Sequence, residues 1–358
     1  MSLITIKSKF HDYTVSFPKS FEFLDHLEEY PERCYAIDKK VWDLYRDGPL
    51  QNLDPRNIIV VPIAEDLKNL ESAERLYDQL IQRSAKRNLT LIAIGGGILQ
   101  DITGFVSSTL YRGINWIFAP TTLLSQADSC IGAKTSLNYK AFKNLIGTFY
   151  PPSQVIVHIP FLLTQEDVDF YSGLGEVVKL HMIGGMDKIN TIIKSLPSII
   201  RREPQSLYRT VADSLLIKQE YIEGDEFDMG KRAMLNFGHC FGHAIESTAE
   251  FEIPHGQAVV IGMILANLVA RERGIISKTF CQFLLDKLLL PSLVVKVKRN
   301  HRDHAKIVEA MQKDKKRVGK GLALVMIGND CRMFRVNDLE GEEVAKALHA
   351  AESLLAPQ

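Results

Sequence analysis

The amino-acid sequence predicts an α/β domain built on a mainly parallel sheet, followed by a mostly helical domain. In the first part of the chain, short β-branched and aliphatic runs alternate with stretches of helical spacing, which is typical of a sheet covered by helices on both faces. From about Asp167 onward, apolar residues recur mainly at helical spacing. We therefore place the boundary near residues 160–164, which gives domains over 1–165 and 166–358.

Strands and helices alternate in the predicted first domain. Ala73, Leu76 and Leu80 lie at helical spacing and predict a helix over 72–83, and a second helix over 98–109 follows three glycines. The predicted buried strands are the short apolar runs 34–38, 57–63, 89–94, 116–119 and 155–159. No internal repeat or low-complexity tract breaks this order.

Helical periodicity dominates the predicted second domain. The helices are predicted over 167–183, 207–223, 236–249, 257–273 and 342–355. Two short strands are predicted over 321–327 and 333–336.

The composition is that of a globular protein without an unusual partner. Hydrophobic residues make up 46% of the 358 residues, and Lys+Arg and Asp+Glu each number 43. The formal net charge is therefore zero, and no overall electrostatic attraction favours binding to nucleic acid or to a membrane surface. The start of the chain lacks a basic region followed by an apolar core, no apolar run is long enough to span a membrane, and the five cysteines are widely spaced. We expect a cytoplasmic protein with a small-molecule partner.

Three consecutive glycines, Gly95, Gly96 and Gly97, stand between a predicted strand and a predicted helix. Glycines let the backbone approach a ligand, and the free N–H groups of a helix start favour an anion. The Gly-x-Gly-x-x-Gly pattern is absent, however, and an ordinary tight turn would also explain the three glycines. Asp38, at the end of an earlier strand, suits a ribose hydroxyl.

Hydroxyl and charged side chains are concentrated in residues 120–136. This segment contains Asp128 and Lys134, while Lys143 and Asn144 follow it and Arg112 precedes it. Arginine and lysine bind phosphate through charge-assisted hydrogen bonds, so the cluster favours a phosphorylated substrate. The alternative interpretation is a solvated loop.

Three histidines lie close together in the second half of the chain. His239 and His243 are four residues apart, which places both imidazoles on one helical face, and His255 precedes the next helix. This spacing predicts a metal centre, and spacing alone makes Glu246 the next ligand because it lies on the same face. The zincin pattern His-Glu-x-x-His is absent. His301 and His304 lie in a charged stretch and are predicted to be surface residues.

Glu176 and Lys179 lie three residues apart on a predicted helix, beside two glycines. A surface ion pair would explain the spacing, whereas the glycines suggest close approach of something bulky. Lys218, Arg232 and the Lys316 region add cations whose role the spacing does not decide.

Taken together, these segments resemble the 3-dehydroquinate synthases of the sugar-phosphate cyclase family. The resemblance extends from Asp38 to the region 314–316, and many motifs occur in the same order. They are Gly95-Gly96-Gly97 with Asp101 and Gly104-Phe105, Tyr111-Arg112-Gly113, 120–124, 128–134, 143–147, 175–179, Asp225-Glu226, Arg232 with 235–239, 242–246 and His255-Gly256.

The resemblance implies a dehydroquinate-synthase-like fold, with a nucleotide-binding α/β domain, a helical domain and the site in the cleft. It implies one divalent metal, zinc or cobalt, held by Glu176, His239 and His255. It implies bound NAD, contacted by Asp38, Glu65, Lys68, Gly95, Gly96, Gly97, Asp101, Thr121, Thr122, Lys143 and Thr164. The implied catalytic residues are Asp128, Lys134, Lys179, Lys218, Arg232, Asn236 and His243, and the implied substrate-binding residues are Arg112, Asn144 and Lys316. Arg112 matches a residue that reaches the neighbouring subunit's site, so the resemblance also implies a homodimer.

The implied reaction converts 3-deoxy-D-arabino-heptulosonate 7-phosphate into 3-dehydroquinate and phosphate, in the shikimate pathway of aromatic amino acid biosynthesis. It would proceed by NAD-mediated transient oxidation at C5, β-elimination of phosphate, reduction and intramolecular aldol closure. Lys134, Asn144, Arg112 and His243 would hold the phosphate, and Arg232 and Lys316 would hold the carboxylate.

The sequence departs from the family pattern at three positions. Gln100 stands where the family usually has glycine and is expected to make the cofactor turn bulkier, Ala133 replaces the second glycine of Gly-Gly-Lys, and Cys130 replaces a serine. A related cyclase acting on another heptulose phosphate is therefore the main alternative, although Asn236 and His243 match the dehydroquinate branch. An NAD- and metal-dependent polyol dehydrogenase shares the architecture but has no evident need for this set of cations. A non-catalytic scaffold or sensor is the third alternative.

Overall fold

A seven-stranded sheet forms the centre of the first of two units into which the chain divides, residues 1–165 and 166–358. The computed structural model describes residues 3–140, 142–250, 252–298, 303–312 and 322–355. The predicted fold class is confirmed, since a mainly parallel α/β unit is followed by a mostly helical one.

The first unit alternates strands and helices as predicted. Its strands are β1 Leu3–Ile6, β2 Tyr13–Ser16, β3 Arg33–Asp38, β4 Ile58–Val61, β5 Thr90–Gly95, β6 Asn115–Pro120, β7 Lys134–Tyr139, β8 Phe142–Phe149 and β9 Gln154–Ile156. Its helices are α1 Phe23–Leu27, α2 Lys39–Tyr45, α3 Leu70–Gln82 and α4 Gly97–Thr109. The sheet order is β1-β2-β9-β6-β5-β3-β4, and only the β1–β2 pair is antiparallel in it.

The central strands are buried on both faces. Every residue of β5 is buried, and Ile92 and Ile94 pack with Tyr35, Ile37 and Ile117 in the core beneath the helices. Strands enclosed on both faces read as continuous apolar runs, and such runs predicted β3 to β6. Because these strands are parallel, their carboxyl ends lie at one edge of the sheet, where ligands bind in open α/β folds.

Several parts of the first unit differ from the prediction. The predicted strand 155–159 is shorter, because β9 ends at Ile156 and a 3₁₀ turn, Ile159–Leu163, begins around Pro160. The antiparallel pair β7–β8, outside the main sheet, and the N-terminal strands β1 and β2 were not predicted.

Helices make up most of the described second unit. They are α5 Asp167–Ile183, α6 Met186–Ile200, α7 Pro204–Ile222, α8 His239–Thr248, α9 His255–Glu272, α10 Lys278–Leu284, α11 Leu290–Ser292, α12 His304–Gln312 and α13 Gly341–Ala351. An antiparallel hairpin, β10 Leu322–Ile327 and β11 Met333–Leu339, matches the two predicted strands. Residues Gly256 to Ala270 of α9 are all buried, so α9 is the central helix. Among the described residues, no helix is long and apolar enough to cross a membrane.

Glycines allow α5, α8 and α9 to meet backbone to backbone. A Cβ atom on Gly256 would lie 1.7 Å from Ser172 O, and one on Gly175 would lie 2.1 Å from Gly256 O. A Cβ atom on Gly262 would lie 1.9 Å from the carbonyl of Gly238, the residue before α8. The prediction of close approach beside Glu176 is therefore confirmed at Gly175, but the approaching group is helix α9.

A side chain at the α5–α9 contact should destabilise the second unit. We expect Gly256→Ala to lower the free energy of unfolding by about 3 kcal/mol, because the methyl group would overlap a backbone carbonyl that cannot move freely. Gly224→Ala is the matched control, since a Cβ atom added there would meet no heavy atom within 4 Å, and it should change stability by less than about 0.5 kcal/mol. Urea unfolding followed by circular dichroism measures both, and equal stabilities would contradict the proposed backbone contact.

Candidate active site

A carboxylate and two imidazoles converge where α5 meets the first residues of α8 and α9. Glu176 Oε1 lies 3.1 Å from His255 Nε2 and 3.6 Å from His239 Nε2. The ring of His243 lies 5.2 Å from that of His239 and 5.8 Å from that of His255, between centroids. One nitrogen from each of the three histidines lies within 4.8 Å of the others. Imidazole nitrogens and a carboxylate oxygen are the donors that zinc-type ions take in catalytic sites.

His239 and His255 each have their second ring nitrogen beside a hydrogen-bond acceptor. His239 Nδ1 lies 3.2 Å from Phe237 O, and His255 Nδ1 lies 3.1 Å from Glu246 Oε2. Metal-ligating histidines usually donate this N–H to a carbonyl or carboxylate, which orients the ring. Glu246 was predicted from spacing alone to be a metal ligand. Its carboxylate instead lies beside His255 Nδ1 and orients that ring.

The charges at this cluster are strongly coupled. Burial would raise the pKa of Glu176, but Lys179, whose Nζ lies 2.5 Å from Oε2, and the two histidines hold it well below its ordinary value. Burial lowers the pKa of His239 well below its ordinary value. Burial also disfavours the charge on His255, but the neighbouring carboxylates of Glu176 and Glu246 outweigh it and raise its pKa to about 10. An anionic Glu176 and a neutral His239 are the forms that bind a cation, whereas His255 must release its proton to become a ligand.

The donor set fits a divalent ion. Both carboxylate oxygens of Glu176 are buried, and neither has a hydrogen bond of acceptable geometry within the described part of the chain, despite the nearby cationic groups. A buried carboxylate is costly unless its oxygens are satisfied, and a divalent ion between Glu176, His239 and His255 would satisfy one of them.

Buried cations lie in the elements beside this cluster. Lys179 on α5, Lys218 on α7 and Arg232 in the 3₁₀ turn Lys231–Asn236 are each less than a tenth exposed, and the turn packs on α5 and α7. Lys179 is already paired with Glu176, so the positive charge of these side chains is partly balanced within the protein.

The loop that carries Arg232 is fixed by one carboxylate. Asp225 accepts hydrogen bonds from the backbone N–H groups of Met229, Gly230 and Arg232, which lower its pKa. The Arg232 guanidinium donates to Glu226 O, and Asn236 Nδ2 donates to Ala233 O at 3.1 Å.

Two of the predicted positions, Lys316 and His301, lie outside the described residues. His304 was predicted to be a surface residue, but it is half-buried and its Nε2 lies 3.4 Å from Glu352.

The glycine turn of the first unit has a packing requirement of its own. A Cβ atom on Gly95 would lie 2.6 Å from Leu99 and 3.0 Å from Asp38, whereas one on Gly97 would meet nothing closer than 3.6 Å. Gly95 is therefore explained by strand-to-helix packing. Gly96 caps α4 without a side-chain hydrogen bond, so the N–H groups at the start of α4 are available to an anion.

Four predicted cofactor residues also make hydrogen bonds within the first unit. Asp38 Oδ1 accepts from Lys40 N at 2.8 Å and caps α2. The other three bonds join Thr121 N to Gly95 O at 2.9 Å, Thr122 Oγ1 to Ser125 Oγ at 2.8 Å and Thr164 Oγ1 to Tyr45 Oη at 2.7 Å.

A polar network joins predicted cofactor residues to a predicted substrate residue. The Nζ atom of buried Lys68 lies 2.5 Å from Asp101 Oδ2 and 2.6 Å from Asn144 Oδ1. Ser136 Oγ lies 3.0 Å from Asp101 Oδ2 and 2.9 Å from Asn144 Oδ1. Burial raises the pKa of Asp101, and Lys68 and Ser136 oppose that shift. The predicted NAD and phosphate contacts therefore share one hydrogen-bonded framework.

The network continues along β7. Asn138 donates to Glu65 Oε1 at 2.9 Å and accepts from Asn144 N at 2.9 Å, and Lys143 Nζ lies 3.6 Å from Glu65 Oε1. Sequence reasoning missed Ser136 and Asn138. Lys134, Ser136 and Asn138 are alternate residues of one strand, and alternate residues share one face. This spacing could have identified Ser136 and Asn138 from the sequence.

Residues 120–136 do not form a solvated loop. Ser125–Ser129 is a π-helical turn, in which Ser125, Gln126 and Ala127 are buried. Gln126 Nε2 donates to Pro120 O at 3.0 Å and to His158 O at 2.9 Å. Asp128 is half-buried in this turn and Lys134 is exposed, so the segment presents both on an ordered backbone.

The three departures from the family pattern have distinct surroundings. The Gln100 side chain is hydrogen-bonded to Ser129 instead of extending from the glycine turn into solvent. Cys130 is buried, with Sγ 3.4 Å from Gln126 O. Ala133 has φ of +61°, a left-handed conformation that favours glycine.

Arg112 lies in an unusual turn after α4. Tyr111, Arg112 and Gly113 have φ values of +52°, +64° and +120°, which is strained for the first two residues. Hydrogen bonds hold the turn on both sides, from Tyr111 Oη to Ala85 O and from Tyr150 Oη to Ile114 O, each at 2.9 Å. The turn leaves the Arg112 side chain exposed.

Comparison with known structures finds proteins of the same fold. A 2-deoxy-scyllo-inosose synthase solved with carbaglucose-6-phosphate, NAD⁺ and Co²⁺ superposes with a TM-score of 0.87 at 23% identity, covering 98% of this chain and 100% of that one. The 2-epi-5-epi-valiolone synthase ValA from Streptomyces hygroscopicus, solved with NAD⁺ and Zn²⁺, also gives 0.87 at 23% identity, covering 97% and 99%. At this identity the likeness shows the fold.

Sequence comparison gives the family. Residues 58–172 match the 3-dehydroquinate synthase N-terminal model and residues 173–317 match the C-terminal model. A 3-dehydroquinate synthase from Dictyoglomus thermophilum is 35% identical over 351 residues, which is 98% of each chain. The chain therefore belongs to the 3-dehydroquinate synthase family.

Proposed function

We propose that this protein is a 3-dehydroquinate synthase, a phosphate-eliminating lyase. It would convert 3-deoxy-D-arabino-heptulosonate 7-phosphate into 3-dehydroquinate and phosphate, in the shikimate pathway of aromatic amino acid biosynthesis. The observation that carries the proposal is the convergence of buried Glu176 with His239 and His255, beside buried cations, in a chain of this family.

The proposed cofactors are NAD and one divalent ion, zinc or cobalt. Glu176, His239 and His255 would hold the ion, which polarises the substrate C5 hydroxyl when bound. The glycine turn and the Glu65–Lys68–Asp101–Lys143 framework would hold NAD, which supplies reversible hydride transfer at C5. The cyclases of similar fold solved with NAD⁺ and Co²⁺ or Zn²⁺ support this assignment.

The substrate's charged groups match the remaining side chains. Lys134, Asn144, Arg112 and His243 would bind the phosphate, and the hydrogen bond from Lys68 orients Asn144 for this role. Arg232 and Lys316 would bind the carboxylate, with Arg232 buried in its turn. Asp128, Lys179, Lys218 and Asn236 would contact the hydroxyls of the ring, where polar and charged side chains orient the substrate and the charged ones move protons.

A homodimer in the cytoplasm is part of the proposal. The strained, hydrogen-bonded turn of Tyr111 and Arg112 presents an exposed guanidinium, as expected if Arg112 completes the site of a second subunit. Strain of this kind persists where function requires it.

A direct assay tests the proposed reaction. Purified protein with NAD and Zn²⁺ or Co²⁺ should release phosphate and dehydroquinate in equal amounts from the heptulosonate phosphate, without net NADH. Net NADH without phosphate would identify a polyol dehydrogenase. Activity only on other sugar phosphates would identify the related cyclase that is the main alternative.

Removing a proposed metal ligand should abolish metal-dependent turnover. We expect His255→Ala to lower kcat more than about 100-fold and to remove the rise in melting temperature caused by Zn²⁺, because the ion loses a ligand. His349→Ala is the control, since His349 is exposed on α13, and it should resemble the wild type. Equal losses in both variants would show that the wrong histidines were assigned.

Removing the carboxylate behind His255 should weaken metal binding without abolishing it. Glu246→Ala should raise the Kd for Zn²⁺ about 10- to 100-fold, and Glu246→Gln should have a smaller effect because an acceptor for His255 Nδ1 remains. Competition with a chromophoric chelator measures these constants. Glu220→Ala, at an exposed position on α7, is the control, and unchanged affinity in Glu246→Ala would refute the supporting role.

A further inference from the structure

The side chain of Gln100 connects the start of α4 to the segment that carries Asp128. Gln100 is buried in the first turn of α4, three residues after the last glycine of the glycine turn. Its Nε2 donates to Ser129 O at 2.7 Å, and its Oε1 accepts from Ser129 Oγ at 2.6 Å. Both ends of the amide are used on one residue, so the side chain has a single orientation that satisfies both bonds.

Ser129 is the last residue of the π-helical turn and directly follows Asp128. The other end of the turn is held by a hydrogen bond between Thr122 and Ser125. Ser129 Oγ also lies 3.6 Å from the position of a Cβ atom on Gly97, so Ser129 stands against the glycine turn. Gln100 is therefore the side-chain anchor at the end of the turn that carries Asp128.

π-Helices are rare, and they occur mostly as single turns that are frequent at functional sites. A glycine at position 100 would offer no side-chain bond to Ser129. The carbonyl and hydroxyl of Ser129 would then need other partners.

We propose that Gln100 is a positioning residue, which holds Asp128 at a fixed place relative to the glycine turn. The inference builds on the proposed function, in which the glycine turn holds NAD and Asp128 contacts the sugar. Gln100 would then set the reacting carbon against the cofactor without touching either molecule. A misplacement of about 1 Å is enough to lower a rate about 100-fold.

Kinetic measurements on the intact protein test the role of Gln100. Gln100→Leu keeps a similar volume and removes both hydrogen bonds, and we expect kcat to fall about 10- to 100-fold while the Kd for NAD changes less than about threefold. Ser129→Ala removes only the hydroxyl bond and should lower kcat less. The double variant should match Gln100→Leu, because both changes break one interaction. Gln82→Leu, at an exposed position of α3, is the control and should leave kcat unchanged.

A purely structural role would lower the melting temperature of Gln100→Leu and leave kcat of the folded protein unchanged, and this result would overturn the proposal. An equal loss of NAD affinity and kcat would also overturn it, since Gln100 would then serve the cofactor turn itself.

Hydrogen exchange separates this inference from the proposed function. Gln100→Leu should speed exchange of the Gln126 and Cys130 amides, which are hydrogen-bonded in or beside the π-helical turn, and leave α3 unchanged. If the wild type fails to convert the heptulosonate phosphate, the proposed function is wrong, and faster exchange still supports the anchor. If amide exchange in the π-helical turn is unchanged in Gln100→Leu, Gln100 does not anchor the turn, whichever substrate the enzyme uses.

Discussion

The contact between the backbones of Gly175 and Gly256 is the constraint on which the proposed metal centre depends. Glu176 directly follows the first glycine and His255 directly precedes the second, so the contact that leaves no room for a Cβ atom also brings Glu176 Oε1 to 3.1 Å from His255 Nε2. The contact between Gly238 and Gly262 does the same for His239, which begins α8. Backbone packing thus sets the distances between groups that are far apart in the sequence.

The parts of the fold that sequence analysis predicted are those that leave a continuous apolar run or a helical spacing of apolar residues in the sequence. Strands β3 to β6 are buried on both faces and read as continuous apolar runs. The pair β7–β8 was missed because Ser136 and Asn138 face the polar network, so the strand lacks an apolar run. Helix α6 was missed as well. It follows the glycine pair Gly184–Gly185, which interrupts the pattern, and it has a proline, Pro197, near its end.

The site could be predicted only in part for a related reason. Spacing within one helix placed His239 and His243 on one face, but it also made Glu246 the third ligand. Its carboxylate instead supports His255, and Glu176 comes from a different helix. Only the resemblance to the family identified Glu176, because the sequence alone carries no distance between helices. The same limit hid the bond between Gln100 and Ser129, which joins two segments with no shared periodicity.

Ala133 limits how the segment before β7 can diverge. Its backbone is left-handed, at φ of +61°, and it is buried. Alanine carries the smallest side chain that adopts this conformation under strain, whereas β-branched residues are largely excluded from it. Among descendants of this chain, substitution at position 133 is therefore restricted mainly to glycine and asparagine.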